Sequence, residues 1–210
     1  MDIVIATRNP KKFRELKALL VPPHTRALSA IQWHSLEDYP RVPPVREDGA
    51  TFRDNAVKKA RATARATKCL AIADDSGLEV DVLNGAPGVR SARFSGRHGH
   101  DASNNAKLLR LLRGVAPSRR TARFRCVLVL ANPHRIVAVT EGVWEGRIAE
   151  APAGRQGFGY DPIFFIPGRR KTSAQLPPRL KNRLSHRGKA ARAMRAQLRR
   201  LGTQTNWLRK

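Results

Sequence analysis

Two aspartates, Asp74 and Asp75, stand side by side after the apolar run Cys69–Ala73 and directly before Ser76. The apolar run predicts a buried strand, and ligand sites of α/β proteins form at the carboxyl ends of parallel strands. Adjacent carboxylates repel each other, so a positive charge should stabilise them. Mg²⁺ prefers oxygen ligands and commonly bridges one or two carboxylates to substrate phosphates. Asp75 could therefore hold a metal and activate a water. The alternative is a turn, for which Asp-Ser-Gly is ordinary composition.

The segment Thr7–Lys12 has the features of an anion site. It follows the strand-like run Asp2–Ala6, Asn9 can cap a helix, and Pro10 suits the first helical position. Backbone N–H groups and the helix dipole attract anions at such a helix start, and Lys12 adds a charge. The pattern GxxxxGK[ST] is absent, so the segment is not a P-loop. A well-capped helix start without a ligand is the alternative.

Further charged residues surround the predicted helix Thr51–Thr67. Asn55 and Lys59 are four positions apart on it, so both point the same way. An exposed helix face would show the same spacing. Glu47 and Asp48 precede the helix, where they could ligate a cation or interact with the helix dipole.

Two stretches nearer the carboxyl terminus could bind a nucleotide base. Phe158 and Tyr160 lie on the glycine-rich turn Gly157–Asp161, and a base could stack on either ring. Aromatic side chains at a sheet edge also commonly belong to the core. Ser185–Arg187 precedes the last predicted helix and either offers donors to a base edge or phosphate, or simply starts that helix.

The order of the predicted elements indicates how these residues are positioned. Strands are predicted at Asp2–Ala6, Cys69–Ala73, Leu78–Leu83, Ala122–Asn132, Ile136–Ile148 and Pro162–Ile166. Helices are predicted after Asn9, at about Thr51–Thr67, at Ala102–Leu112 and at about Arg187–Leu201. Strands and helices alternate early and strands pair later, with the two long strands as an antiparallel pair. This pattern predicts an α/β fold, a mixed sheet with helices packed on it.

Composition narrows the classes of protein. The 210 residues carry 41 Lys and Arg against 16 Asp and Glu, a formal net charge of +25 that attracts polyanions. The length suits one domain, and 41% hydrophobic residues argue against disorder. No apolar run reaches the roughly 18 residues of a membrane span, and no signal-peptide pattern is visible. Cys69 and Cys126 lie in apolar runs, which favours buried free thiols of a cytoplasmic protein. No membrane partner is expected.

Five segments between residues 7 and 187 together match one family. They are Thr7-x-Asn9-x-x-Lys12, Glu47–Phe52 with Asn55, Ala56 and Lys59, Ala73–Gly96, Gly157–Pro162, and Lys181 with Ser185–Arg187. In this order they closely resemble the inosine triphosphate pyrophosphatase family, whose members hydrolyse non-canonical purine nucleoside triphosphates to monophosphate and pyrophosphate. The resemblance implies the substrates ITP, dITP and XTP, and it covers nearly the whole chain.

The resemblance also implies site residues. Mg²⁺ would be held by Glu47 and Asp75, with Asp75 also the general base and Asp74 its support. The implied triphosphate ligands are Thr7, Arg8, Asn9, Pro10, Lys11, Lys12, Lys59 and Ser76. The implied base-binding residues are Phe158, Gly159, Tyr160 and Asp161, with Lys181, His186 and Arg187 reading the base.

For the fold, the resemblance implies a single two-lobed domain over residues 1–210 and a homodimer. It implies an elongated mixed β-sheet flanked by helices, with a deep substrate cleft between the two lobes. One departure is Pro177–Leu180, which replaces a usually acidic stretch before Lys181 and could alter the loop that carries this lysine.

Two other functions are weighed against this one. Residues 162–210 contain 14 Lys and Arg and no Asp or Glu, as a nucleic-acid-binding protein could. That function leaves the acidic residues Glu47, Asp74 and Asp75 unexplained, because they would repel phosphates without a metal, and no nucleic-acid-reading motif is recognisable. No specific nucleic-acid partner is therefore expected. A related pyrophosphatase acting on ordinary or methylated nucleotides stays open, because base choice depends on fine pocket shape.

Overall fold

The computed structural model describes residues 1–22, 31–96 and 100–202. The chain forms two compact units. One comprises Met1–Asp75, Cys126–Gly142 and Arg187–Lys210, and the other comprises Ser76–Arg125 and Val143–His186. In the described ranges, no helix is long and apolar enough to span a membrane.

The described residues form a mixed sheet with flanking helices, as the sequence predicts. The strands are β1 Asp2–Ile5, β2 Gln32–Ser35, β3 Leu70–Val80, β4 Thr121–Ala131, β5 Ile136–Ile148, β6 Phe164–Ile166 and β7 Lys171–Thr172. The α-helices are α1 Pro10–Leu20, α2 Phe52–Thr67, α3 Asp101–Leu111, α4 Pro178–Leu184 and α5 His186–Gly202.

The strand order is β2-β1-β3-β4-β5-β6-β7. β1 pairs in parallel with β2 and β3, whereas β6 pairs antiparallel with β5 and β7. β4 and β5 are neighbours joined by a turn at residues 132–135, and strands joined by so short a turn run antiparallel. The predicted antiparallel pair agrees with the structure to within one residue at each end.

The strand that carries the acidic pair differs from the prediction. β3 runs without a break from Leu70 to Val80, so Asp74 and Asp75 lie inside a strand and not after its end. The predicted second strand Leu78–Leu83 is wrong, because residues 78–80 complete β3 and Asp81–Leu83 form a 3₁₀ turn. The turn alternative for Asp-Ser-Gly is wrong for the same reason. β1 ends where Ile5 pairs with Ile72, so the acidic pair lies just beyond the carboxyl end of β1.

In the first unit, helices cover both faces of the sheet. One face carries Leu70 and Ile72 of β3, which pack in a core with Leu16 of α1 and Met194 of α5. Side chains alternate between the faces of a strand, so Asp74 continues this row and Asp75 points the opposite way. On the opposite face, the Asp75 carboxylate accepts a hydrogen bond from a side chain of α2. The alternation therefore places the two adjacent carboxylates in separate layers.

The second unit has its own apolar core. Its centre is a cluster of aromatic rings, with the Phe124 and Phe164 centroids 4.5 Å apart and those of Trp144 and Phe164 5.2 Å apart. Leu108 of α3 packs in the same core. This core anchors α3, whose polar side chains contact the glycine-rich turn described below.

Two local features were not predicted. β2 was missed. Lys181 was placed in a loop, yet it lies on the short helix α4. Pro178 occupies the first turn of α4, where its missing N–H costs no hydrogen bond, and no glycine or proline interrupts the following residues.

Candidate active site

Asp74 is completely buried and surrounded by cations. The Lys12 Nζ lies 2.9 Å from its Oδ1, and the Arg187 Nε lies 3.7 Å from its Oδ2. Burial is the largest influence and disfavours the ionised carboxylate. The nearby cations, above all Lys12 and Arg187, outweigh burial and lower the pKa of Asp74 to about 2. Asp74 is therefore a permanent negative charge that holds two cations in place.

Asp75 has the opposite electrostatic character. Asn55 of α2 donates a hydrogen bond of 3.0 Å from Nδ2 to its Oδ2. Burial nevertheless raises the pKa of Asp75 to about 6, although Lys59 and Asn55 favour the ionised form. A base is most effective when its pKa lies near the working pH, so Asp75 has the character of a general base.

The Asn55 amide is fixed from both ends. Its Oδ1 accepts a hydrogen bond of 2.7 Å from the Gly49 backbone N–H, so its Nδ2 must face Asp75. A Cβ at Gly49 would lie 2.8 Å from this Oδ1, which is why a glycine allows the backbone to approach. The sequence indicated the direction of Asn55 but not this role, because its partner lies twenty positions away.

Replacing Asn55 with alanine should lower kcat by about 10- to 100-fold, the effect of losing a hydrogen bond to a charged group. Asp75 would keep its charge but lose its orientation, so KM should change less than kcat. Thr51→Ala is the matched control. It removes the cap of the same helix, which costs about 1 kcal/mol of stability without touching Asp75. Steady-state kinetics with melting curves would separate the two variants. A kcat loss that merely follows the fall in Tm would contradict this role.

Lys59 lies among the carboxylates of Glu47, Asp74 and Asp75, here called the acidic group. Its Nζ is 2.7 Å from the Glu47 Oε1 and its side chain is almost buried. Burial acts against the charged ammonium, but the carboxylates of Asp74, Glu47 and Asp75 outweigh it and raise its pKa. Asp48 instead pairs with the exposed Lys58. The structure therefore brings Glu47, but not Asp48, to Lys59.

This group of residues suits a hard divalent cation that arrives with a phosphate. Across the described ranges, no three His, Cys, Asp or Glu side chains form a group that could hold a metal ion by themselves. Mg²⁺ needs only one or two carboxylates when phosphate oxygens and waters complete its shell. The Lys59 ammonium already occupies a cationic position among these carboxylates. The residues therefore fit a magnesium ion shared with a substrate.

The Thr7–Lys12 turn forms as predicted. Asn9 is the N-cap of α1, and its Oδ1 accepts hydrogen bonds from the N–H groups of Lys11 and Lys12. Pro10 occupies the first turn. The Thr7 Oγ1 accepts a hydrogen bond from the Asn9 N–H. Because the capping bonds order these residues without a ligand, Lys12 is held against Asp74 in advance.

Two other predicted triphosphate ligands have partners or positions that the sequence did not indicate. The Arg8 guanidinium donates to the backbone carbonyls of Leu36 and Val42, at 2.9 and 2.6 Å, which ties the segment between them to the turn. Ser76 is half-buried within β3. Their phosphate contacts stay predictions.

Arg187, near the start of α5, contacts acidic partners. Its Nε lies 3.7 Å from Asp74, and its guanidinium lies 3.5 Å from the Glu15 carboxylate of α1. The structure therefore brings Arg187 together with Asp74. Its predicted contact with the base stays a prediction.

In the second unit, the glycine-rich turn is organised around Asp161. The buried Asp161 carboxylate accepts hydrogen bonds from the Phe158 N–H, the Ser173 Oγ and the Lys181 Nζ. Gly157 has a φ of +82°, and a Cβ there would lie only 2.1 Å from the Asp161 carboxylate. The turn therefore requires glycine at this position, both for its backbone and for the approach of Asp161.

The predicted base-binding side chains of this unit differ in exposure. The Phe158 ring is 44% exposed, and the Lys181 ammonium lies 5.7 Å from its centroid. Tyr160 is buried, and its hydroxyl donates to the Ser91 carbonyl. The Phe158 ring is therefore exposed enough to contact a base, whereas the Tyr160 ring belongs to the core. His186 is also buried and stacks on Phe124 at 4.7 Å.

The mixed sheet and its flanking helices define a mixed α/β protein, in which the capped start of α1 lies against the acidic pair Asp74 and Asp75 of β3 through Lys12. The family follows from comparison with known proteins. The chain belongs to the Ham1 family, whose model matches residues 3–197.

Relatives of known sequence and structure agree with this assignment. A dITP/XTP pyrophosphatase of Geobacillus kaustophilus is 53% identical over 189 residues, 90% of either chain. A HAM1 protein from Coxiella burnetii superposes with a TM-score of 0.83 at 40% identity, covering 94% of this chain and 98% of that one. A nucleoside-triphosphatase, or dITP/XTP pyrophosphatase, of Mycobacterium abscessus gives a TM-score of 0.76 at 47% identity, covering 92% of this chain and 98% of that one. The predicted family resemblance is confirmed.

Proposed function

We propose that this protein hydrolyses the non-canonical purine nucleoside triphosphates ITP, dITP and XTP to the monophosphate and pyrophosphate. The observation that carries the proposal is Asp75, a buried carboxylate with a pKa of about 6, oriented by Asn55 within the acidic group. The names of the Ham1 relatives, dITP/XTP pyrophosphatases, support the same reaction.

The proposed reaction uses these residues in distinct roles. Asp75 removes a proton from a water, and the water oxygen bonds to the α-phosphorus. The bond from this phosphorus to the oxygen that bridges the α- and β-phosphates breaks, and pyrophosphate leaves. Asp74 keeps Lys12 in place, and Lys12 and Lys59 bind the negatively charged phosphates. Accurate positioning and charge stabilisation are the main contributions of a protein to this type of chemistry.

Mg²⁺ is the proposed cofactor, held by Glu47 and Asp75. When bound, it would neutralise charge on the phosphates and orient them for attack. Lys59 pairs with Glu47, so its ammonium must share this carboxylate with the ion. In the proposal, the turn formed by Phe158, Gly159, Tyr160 and Asp161 holds the base, with Phe158 as the side chain that stacks on it, and Lys181, His186 and Arg187 read it.

The location and the assembly belong to the proposal as well. Cys69 and Cys126 are free thiols, which supports a reducing, cytoplasmic location. The family resemblance supports a homodimer without a specific nucleic-acid partner. Light scattering on the purified protein would measure the assembly.

Product analysis tests the reaction. We expect release of pyrophosphate from ITP, and loss of activity when the divalent cation is chelated. Ion chromatography of the products with and without chelator, followed by restoration with Mg²⁺, would measure both. Orthophosphate as the primary product, or full activity in excess chelator, would show that the mechanism is wrong.

A further inference from the structure

Two side chains of α3 hold the glycine-rich turn of the second unit at one residue. The Asp101 Oδ2 accepts a hydrogen bond of 2.6 Å from the Gly159 N–H, and the Asn105 Nδ2 donates one of 3.0 Å to the Gly159 carbonyl. These two groups belong to successive peptide units, one on either side of Gly159. The orientation of both peptide planes is therefore fixed by side chains of α3, which lies more than fifty positions earlier in the sequence.

The contacts from α3 add to a weak backbone hydrogen bond within the turn, the 3.3 Å bond from the Asp161 N–H to the Phe158 carbonyl. The Gly159 φ of +63° lies in the left-handed region, which glycine enters freely, but glycine also leaves it freely. Phe158 precedes Gly159, so rotation of the peptide that joins them would swing the exposed Phe158 ring. Tyr160 on the other side is already anchored through its hydroxyl to Ser91. Asp101 and Asn105 thus restrict the part of the turn that carries the exposed Phe158 ring.

The chemistry of Asn105 indicates that its amide is present for this contact. The residue is buried, yet its Oδ1 has no hydrogen-bond partner among the described residues. A buried acceptor without a partner destabilises a protein, and an apolar side chain of similar size would avoid that cost. The Asp101 side chain is also directed to this contact. Asp101 lies at the start of α3, but its carboxylate accepts a hydrogen bond from the Gly159 N–H of the glycine-rich segment.

We propose that Asp101 and Asn105 are positioning residues for purine recognition, which keep the Phe158 ring in place for stacking on the base. The inference rests on the proposed function, in which this turn binds the base. Holding a binding loop in its bound conformation lowers the entropy that is lost on binding. The effect should therefore be seen in substrate affinity and not in the chemical step.

Kinetics of three variants test the proposal. Asn105→Leu keeps the number and branching of the side-chain heavy atoms and removes both the donor and the unsatisfied acceptor. It should raise KM for ITP by roughly 5-fold, the effect of one neutral hydrogen bond, with kcat near wild type and Tm not lowered. Asp101→Ala should raise KM by about 10-fold or more, because its bond is charge-assisted. Asp101→Asn keeps an acceptor and should recover part of this loss.

Asn132→Ala is the matched control. Asn132 is also buried, and its Oδ1 accepts hydrogen bonds from the backbone of the turn between β4 and β5. This variant should lower Tm without changing KM. Wild-type KM in both Asn105→Leu and Asp101→Ala would overturn the inference, as would a rise in KM that only follows lost stability.

Hydrogen exchange separates the inference from the proposed function. Amides of residues 157–161 should exchange faster in Asn105→Leu and Asp101→Ala than in the wild type or in Asn132→Ala. This measurement needs no substrate. Unchanged exchange would overturn the positioning role even if the wild-type protein hydrolyses ITP. Absence of ITP hydrolysis by the wild type, with faster exchange in the variants, would refute the proposed function and the purine role while confirming the support of the turn.

Discussion

Replacing Asp75 with asparagine should lower kcat for ITP by at least ~10²-fold, the scale of general-base catalysis. The substitution keeps the shape of the side chain but removes its charge and its ability to take a proton. It also removes a proposed ligand of Mg²⁺. Burying the ionisable Asp75 carboxylate lowers the stability of the folded protein. We therefore expect the Asp75→Asn variant to fold and to be no less stable than the wild type.

Single-turnover kinetics with saturating Mg²⁺ would measure the effect on the chemical step. Asp48→Asn is the matched control, since Asp48 precedes the same helix but pairs with the exposed Lys58. That variant should keep wild-type kcat. An Asp75→Asn variant with nearly full activity would show that another group activates the water.

ITP, dITP and XTP should exceed ATP in kcat/KM by at least ~10²-fold, within the range that hydrogen-bonded recognition reaches. The 6-position of hypoxanthine and xanthine is a carbonyl, which accepts hydrogen bonds, whereas that of adenine is an amino group, which donates them. Lys181, His186 and Arg187 can all present donors. Lys181 uses one of its three donors on Asp161, so the others can serve a base. With ATP bound, these donors would have no acceptor at the 6-position of the base.

A comparison of kcat/KM across ITP, XTP, ATP and GTP would measure this preference. Lys181→Met keeps an unbranched side chain that is one atom shorter and removes the ammonium. It should narrow the difference in kcat/KM between ITP and ATP by slowing ITP hydrolysis, not by improving ATP hydrolysis. Asp161 would retain its hydrogen bonds from Phe158 and Ser173. If the wild-type protein hydrolyses ATP as well as ITP, the base-reading role proposed for these three residues is wrong.

Features that depend on neighbouring residues could be predicted from the sequence. The start of α1 is an example, because Asn9 and Pro10 determine it within one turn of chain. The antiparallel pair of β4 and β5 is another, since its alternating pattern extends over more than ten residues on each strand. The family motifs likewise identified the acidic group, because its residue types are unusual in so basic a chain.

Features that depend on distant partners could not be predicted. The acidic pair suggested the end of a strand because Asp, Ser and Gly favour turns in isolation. β3 nevertheless continues, since Lys12 and Asn55 satisfy the two carboxylates on opposite faces. Asp101 and Asn105 gave no signal at all, because their partner Gly159 lies more than fifty positions later. No local pattern records such a contact.

The unbroken pleat of β3 also limits how the gene for this protein can change in length. A codon deleted between those for Leu70 and Asp74 would turn every later side chain of the strand to the other face, as any one-residue slip does. Asp75, the proposed general base, would then point towards Lys12, and Asp74 would point towards α2. The loop at residues 43–46 carries no such constraint and can gain or lose residues. Sequences that descend from this one should therefore differ within β3 by substitutions alone and carry their insertions in the loops.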